Sequence, residues 1–146
     1  MAEGAMEEVL YAERFRVRGD DYEHGGEVAA RIKAILKQFG LASDVIRRLS
    51  IANFEAEMNV IMYADEADVD LEVFADKVRV TFADRGGGIP DVERAMLPGF
   101  STATPEMRAR GFGAGLGLPN IKRNSDEFEI RSTVGVGTRL RYAVRL

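Results

Sequence analysis

Residues 68–83 read Asp-Val-Asp-Leu-Glu-Val-Phe-Ala-Asp-Lys-Val-Arg-Val-Thr-Phe-Ala, two alternating apolar and polar runs separated by two residues. Successive side chains of a strand point to opposite faces, so each run offers one face to a core and one to water. Ala75-Asp76 is short enough for a hairpin. The expected strands, 68–74 and 77–83, therefore pair antiparallel, and the rest of the chain must cover their apolar side.

The flanking segments supply that cover. Residues 9–18 alternate in part and read as a strand, closed by Gly19-Asp20-Asp21. Val28, Ile32, Ile35, Leu36 and Phe39 recur at helical spacing within 24–39, and Gly40 is a stop signal. Ser43 or Asp44 can cap a second helix over 44–64, whose apolar residues spread around most of its circumference. A short helix is expected over 91–97, another over 114–124, and strands over 127–133 and 138–145, with a turn at Gly135-Val136-Gly137. Residues 98–112 show neither period and form a loop long enough to suggest a function. This order of elements predicts an α+β two-layer sandwich, with helices on one face of a mixed, largely antiparallel sheet. One domain, residues 9–146, follows a flexible N-terminus of residues 1–8.

Composition narrows the function. The 46% hydrophobic and 30% charged fractions are those of an ordinary globular protein. No apolar run is long enough for a membrane span, and the first eight residues lack a secretory signal, so a cytoplasmic location is expected. The absence of cysteine and the single His24 leave little for a transition metal, and His24 reads as a surface residue. A net charge of −4 with scattered Lys and Arg argues against direct nucleic-acid binding.

Three motifs carry possible chemistry. Glu55 and Asn59 are four apart on a helix, about 40° apart on one face, among Ile51, Ala52, Met58 and Met62. Such a carboxylate and amide need partners. A hydrated Mg²⁺ on Asn59 with Glu55 as general base would satisfy them; so would backbone bonds at a helix end. Glu57 points roughly the opposite way. Next comes Asp84-Arg85-Gly86-Gly87-Gly88-Ile89-Pro90, straight after the expected strand. Asp84 could accept from an exocyclic amine, with Gly86 and Gly88 admitting a flat ring; the same residues also make ordinary turns. Finally, Gly111, Gly113, Gly115 and Gly117 precede Leu118-Pro119-Asn120-Ile121-Lys122. Glycine-rich backbone at a helix start offers N–H groups to phosphates. Arg108 and Arg110 lie beside that series. Thr138 with Gly135 and Gly137 reads equally as turn chemistry or as a ligand contact.

Taken jointly, Glu55-x-x-x-Asn59, Asp84-x-Gly86-x-Gly88, Gly113-x-Gly115-x-Gly117-Leu118 and Gly135-x-Gly137-Thr138 resemble the successive nucleotide boxes of the GHKL (Bergerat-fold) ATPases and kinases. The resemblance covers roughly residues 10–145. Within that superfamily the chain is similar to the small serine/threonine kinases of bacterial partner-switching systems. Gly99-Phe100-Ser101-Thr102 and Leu118-Pro119-Asn120-Ile121-Lys122-Arg123 with Asp126-Glu127-Phe128 resemble the switch kinases, and Thr104-Pro105-Glu106-Met107-Arg108 the anti-sigma factor kinases. The resemblance implies ATP or ADP and Mg²⁺ as cofactors. It makes Glu55 the general base, Asn59 the Mg²⁺ ligand and Asp84 the adenine-amine acceptor, in a pocket shaped by Gly86, Gly88 and Ile89. Ser101, Thr102, Thr104 and Arg108 would lie in a lid of about residues 98–112. Gly113, Gly115, Gly117 and Leu118 would line the phosphates, with Thr138 on the adenine side.

The implied activity is phosphorylation of a partner in trans: a STAS-domain antagonist protein, with a sigma factor or similar regulator as the final target and room for a homodimer. A nucleotide-gated protein-binding module with little catalysis would need the same pocket. An isolated ATPase fragment of a histidine kinase is a third reading.

Overall fold

The computed structural model describes residues 7–97 and 117–146. Its elements are β1 (Tyr11–Arg18), a 3₁₀ turn (Tyr22–His24), α1 (Glu27–Gln38), α2 (Ser43–Tyr63), β2 (Ala64–Val73), β3 (Lys77–Gly86), α3 (Val92–Ala95), α4 (Gly117–Arg123), β4 (Glu127–Thr133) and β5 (Gly137–Arg145). The five strands form one sheet in the order β1-β2-β3-β5-β4. All four pairings are antiparallel. This is the expected α+β sandwich.

Alternation decides which face the helices cover. Phe15 and Val17, Val69 and Leu71, Val78, Val80 and Phe82, and Leu140, Tyr142 and Val144 are buried on one side of the sheet. Ile32 and Leu36 of α1, Leu49, Ala52, Ala56 and Val60 of α2, and Ile121 of α4 close over them in one continuous core. Removing such side chains from water is the main source of stability, roughly 1.5–3 kcal/mol for each large one.

The opposite face is open and charged in rows that follow the pairing register. One row runs Arg14, Asp70, Thr81, Arg141, Glu129 across the five strands, and the next runs Arg16, Asp68, Ala83, Arg139, Arg131. Arg14 pairs with Asp70 at 2.7 Å, Arg16 with Asp68 at 3.0 Å, Arg79 with Glu72 at 3.0 Å and Arg85 with Glu66 at 2.7 Å. Exposed pairs contribute only about 0–1 kcal/mol each.

Several boundaries differ from expectation for physical reasons. β2 starts at Ala64 directly after α2, four residues early, because Ala64–Ala67 finds partners in Gly86–Asp84 through a register irregularity between Ala64 and Glu66. Asp84 and Gly86 consequently sit inside a paired strand and not beyond its end. Neither Ser43 nor Asp44 caps α2: Ala42 stands at the N-cap without a side-chain bond, and Asp44 instead accepts from Arg47 in the first turn. α1 begins at Glu27, after Gly25-Gly26 interrupts the run from 24. The expected helix 91–97 reduces to Val92–Ala95, capped by Asp91 accepting from the Arg94 N–H. Gly137 belongs to β5, and the turn closes over 134–136. His24 is exposed, with its Nδ1 2.8 Å from Asp21.

Candidate nucleotide-binding site

Four polar residues of helix α2, Asn53, Glu55, Glu57 and Asn59, have different fates. Glu57 is 2% exposed, and its carboxylate accepts from the backbone N–H groups of Gly26 (2.9 Å), Val28 (3.3 Å) and Ala29 (2.9 Å). These are donors that the first turn of α1 leaves unpaired, and a negative charge suits that helix end. Burial pushes the Glu57 carboxyl up, and the three N–H groups pull it back. Its work is to tie α1 to α2. Asn53 is buried too, and its Oδ1 accepts from Tyr142 Oη at 2.5 Å. Sequence reasoning set Glu57 aside as pointing away from Glu55 and did not consider Asn53.

Glu55 and Asn59 lie on another side of α2, where burial is incomplete. Helix α4 crosses there. Its Asn120 Nδ2 donates to Glu55 Oε2 at 2.7 Å. Its first residue, Gly117, stands so close to Asn59 that an added Cβ would lie 3.2 Å from Asn59 Oδ1. The side-chain amide of Asn59 therefore faces Gly117 at the start of α4. Oxygen donors of Asn59 and Glu55 beside a residue without a side chain fit a partly hydrated Mg²⁺, which takes few protein ligands and shares phosphate oxygens. Leu118 packs on the core.

The corner between α2 and β2 brings the second motif to the same end of the molecule. A Cβ on Gly86 would sit 3.0 Å from Ala64 Cα and 3.2 Å from the Tyr63 carbonyl. Two residues back along β3, Asp84 Oδ1 accepts from the Thr138 N–H at 2.9 Å. Burial pushes the Asp84 carboxyl above its usual range, and the Thr138 N–H only partly offsets this. Such a carboxylate has one oxygen engaged and gains from a further donor, which an exocyclic amine supplies.

The β4–β5 turn completes this side. Ser132 Oγ lies 2.8 Å from Thr138 Oγ1 and accepts from the Ile89 N–H at 2.7 Å. Gly88 has φ +77°, and a Cβ there would lie 2.5 Å from the Thr133 carbonyl oxygen. Gly137 has φ +153°, and its Cβ would collide with the Asp84 carbonyl. Both positions demand glycine on conformation and on space. Ser132 was missed in the sequence. Its signal was alternation, which puts this hydroxyl on the same face as Phe128 and Ile130.

The structure thus joins Glu55 and Asn59 with Gly117, and Asp84 with Thr138, Ile89 and Gly88, at neighbouring positions around the α2–β2 corner. Ser101, Thr102, Thr104, Arg108, Gly113 and Gly115, with the expected lid 98–112, lie outside the described residues. Among the described residues no helix is long and apolar enough to cross a membrane.

The sequence is similar to those of known proteins. Residues 20–143 match the model of the histidine kinase-like ATPase domain family. The chain is similar to the serine/threonine-protein kinase RsbT of Bacillus subtilis (strain 168), 34% identical over 119 residues that cover 77% of this chain and 84% of RsbT. It is also similar to the anti-sigma F factors of Caldanaerobacter subterraneus subsp. tengcongensis, 32% identical, and of Thermoanaerobacter sp. (strain X514), 30% identical. Each of these matches spans 115 residues, 75% of this chain and 77% of the relative.

Proposed function

The chain belongs to the histidine kinase-like ATPase domain family, and on that footing we propose that it is an ATP-dependent protein serine/threonine kinase of a partner-switching system. It phosphorylates a STAS-domain antagonist and so regulates a sigma factor or similar target. The similarity to a serine/threonine-protein kinase and to anti-sigma F factors supports this reading. The observation that carries it is the juxtaposition of Glu55 and Asn59 with the start of α4, one helix corner away from the half-buried Asp84.

In this reading Asp84 accepts from the adenine amine, within a wall formed by Gly86, Gly88, Ile89 and Thr138. Asn59 holds Mg²⁺, which when bound offsets the charge of the phosphates. Gly113, Gly115, Gly117 and Leu118 bracket the phosphates, and Ser101, Thr102, Thr104 and Arg108 belong to the lid. Glu55 takes the proton from the acceptor hydroxyl as its oxygen bonds to the γ-phosphorus and the bond to ADP breaks. Phosphoryl transfer of this kind needs positioning and charge neutralisation more than covalent help.

The test is transfer from γ-labelled ATP, with Mg²⁺, to a STAS-domain partner. Phosphoserine or phosphothreonine on the partner, lost in Glu55→Ala while ADP still binds, is the expected result. Nucleotide-dependent partner binding without transfer would make the domain a nucleotide-gated module. A phosphorylated histidine would indicate the ATPase part of a histidine kinase. No ADP or ATP-analogue binding at millimolar concentration would end the nucleotide reading altogether.

A further inference from the structure

Asn120 stands between the two helices that meet at the site. Its Nδ2 donates to Glu55 Oε2 at 2.7 Å, and its Oδ1 accepts from Arg123 Nη1 at 3.1 Å. Residues three apart share a helix face, so Asn120 and Arg123 are natural neighbours. The arginine has no acceptor to offer, so it fixes which way the amide faces, with oxygen to Arg123 and nitrogen to Glu55. From this geometry we infer that Asn120 is a positioning residue for the phosphoryl-transfer step. It holds one carboxylate oxygen of Glu55 and leaves Oε1 to receive the proton of the acceptor hydroxyl, while Arg123 sets the amide's orientation. The inference rests on Glu55 being the base.

The helix does not need this side chain for its own packing. Ile121 is fully buried and Pro119 nearly so, and they anchor α4. The C-terminal turn is closed by Asn124 and Ser125 bonding backbone carbonyls of Asn120, Ile121 and Lys122. What the Asn120 side chain adds is restraint on Glu55, a long, half-buried side chain with many rotamers, for which it is the hydrogen-bond partner among the described residues. A catalytic group held in place removes reorganisation from the barrier, and misplacement by about 1 Å can cost on the order of 100-fold.

The test uses the full chain, γ-labelled ATP with Mg²⁺ and the phosphorylatable partner, measuring single-turnover transfer and the ADP dissociation constant separately. Asn120→Ala is expected to slow transfer by about 10–100-fold while ADP affinity stays within about twofold. Asn120→Asp, the same shape without the donor, should be at least as slow, and Asn120→Gln, which keeps the donor, should recover part of the rate. Arg123→Ala should cause a smaller loss, and adding it to Asn120→Ala should cost nothing further, because the two act as one unit. Transfer by Asn120→Ala at the wild-type rate, or a loss matched by the loss of ADP binding, overturns the inference. Glu55→Ala separates the two failures. If it still transfers phosphate, the base reading falls; if it is dead while Asn120→Ala is fully active, only the positioning role falls.

Discussion

Replacing Asp84 with asparagine should split ligand affinity from fold stability. Asp84 Oδ1 accepts the Thr138 N–H, and the variant's amide oxygen can keep that bond. Its NH₂ then replaces Oδ2 and points where the adenine amine must donate, so donor meets donor. A hydrogen bond to a charged group contributes about 1.5–3 kcal/mol net, so ADP should bind Asp84→Asn about 10–150-fold more weakly. Inosine diphosphate carries a carbonyl oxygen in place of the amine, and it should bind the variant better than it binds wild type. The fold should not suffer. Burial holds the Asp84 carboxyl above its unfolded value, so its stabilising contribution is present below the unfolded pKa and lost as pH rises through the folded one. At neutral pH the ionised group costs stability, and the uncharged amide removes that cost. Isothermal titration with both diphosphates, together with urea unfolding, tests the pair of signs. Equal ADP affinity in variant and wild type, or no swing toward inosine diphosphate, would refute the placement of the purine against Asp84.

Lowering pH should weaken ADP binding to wild type as Asp84 takes up its proton, with a midpoint above the ordinary aspartate value. Asp84→Asn should show a flatter dependence over the same range, and parallel curves would argue against Asp84. Glu57→Ala would leave the buried N–H groups of Val28 and Ala29 without acceptors and should cost about 3–5 kcal/mol of unfolding free energy; a urea midpoint unchanged from wild type would show that α1 is held by apolar packing alone. Gly88→Ala places a Cβ against the Thr133 carbonyl at positive φ, so it should destabilise by about 1–3 kcal/mol and reduce ADP affinity together with stability. Thermal melts and titration on one preparation would read both.

The fold was legible wherever one residue type repeats at a fixed spacing. The hairpin of β2 and β3 follows from alternation through Val69, Leu71, Val78 and Val80, and α1 from Val28, Ile32 and Leu36. Of the candidate site, the order of the motifs picked out Glu55, Asn59 and Gly117, which the structure brings to one place, and Asp84, which it sets against Thr138. What escaped depends on partners far along the chain. Glu57 looks like any helical glutamate until α1, some thirty residues earlier, presents its free N–H groups. Ser132 gains its place only when β4 lies beside β5 and the Ile89 backbone reaches it. The early start of β2 at Ala64 is a pairing effect, because residues 64–67 are extended once Gly86–Asp84 lie opposite. The caps expected at Ser43 and Asp44 failed because packing of Val45 and Ile46 sets where α2 enters the core, and the start of the helix moved with it.

The charged rows of the open face also sort strands by identity. β2 turns only acids outward, at 66, 68, 70 and 72, while its neighbours turn Arg14, Arg16 and Arg18 or Arg79 and Arg85 toward it. β1 lies at the margin of the sheet with one row of backbone groups unpaired, an invitation to a second chain. Two β1 strands meeting antiparallel would set arginine against arginine, and like charges opposite one another oppose pairing. An acidic strand suits β1, as the pairing with β2 on its inner edge shows. The arrangement opposes antiparallel pairing of one β1 edge with another, on the face of the sheet away from the helices.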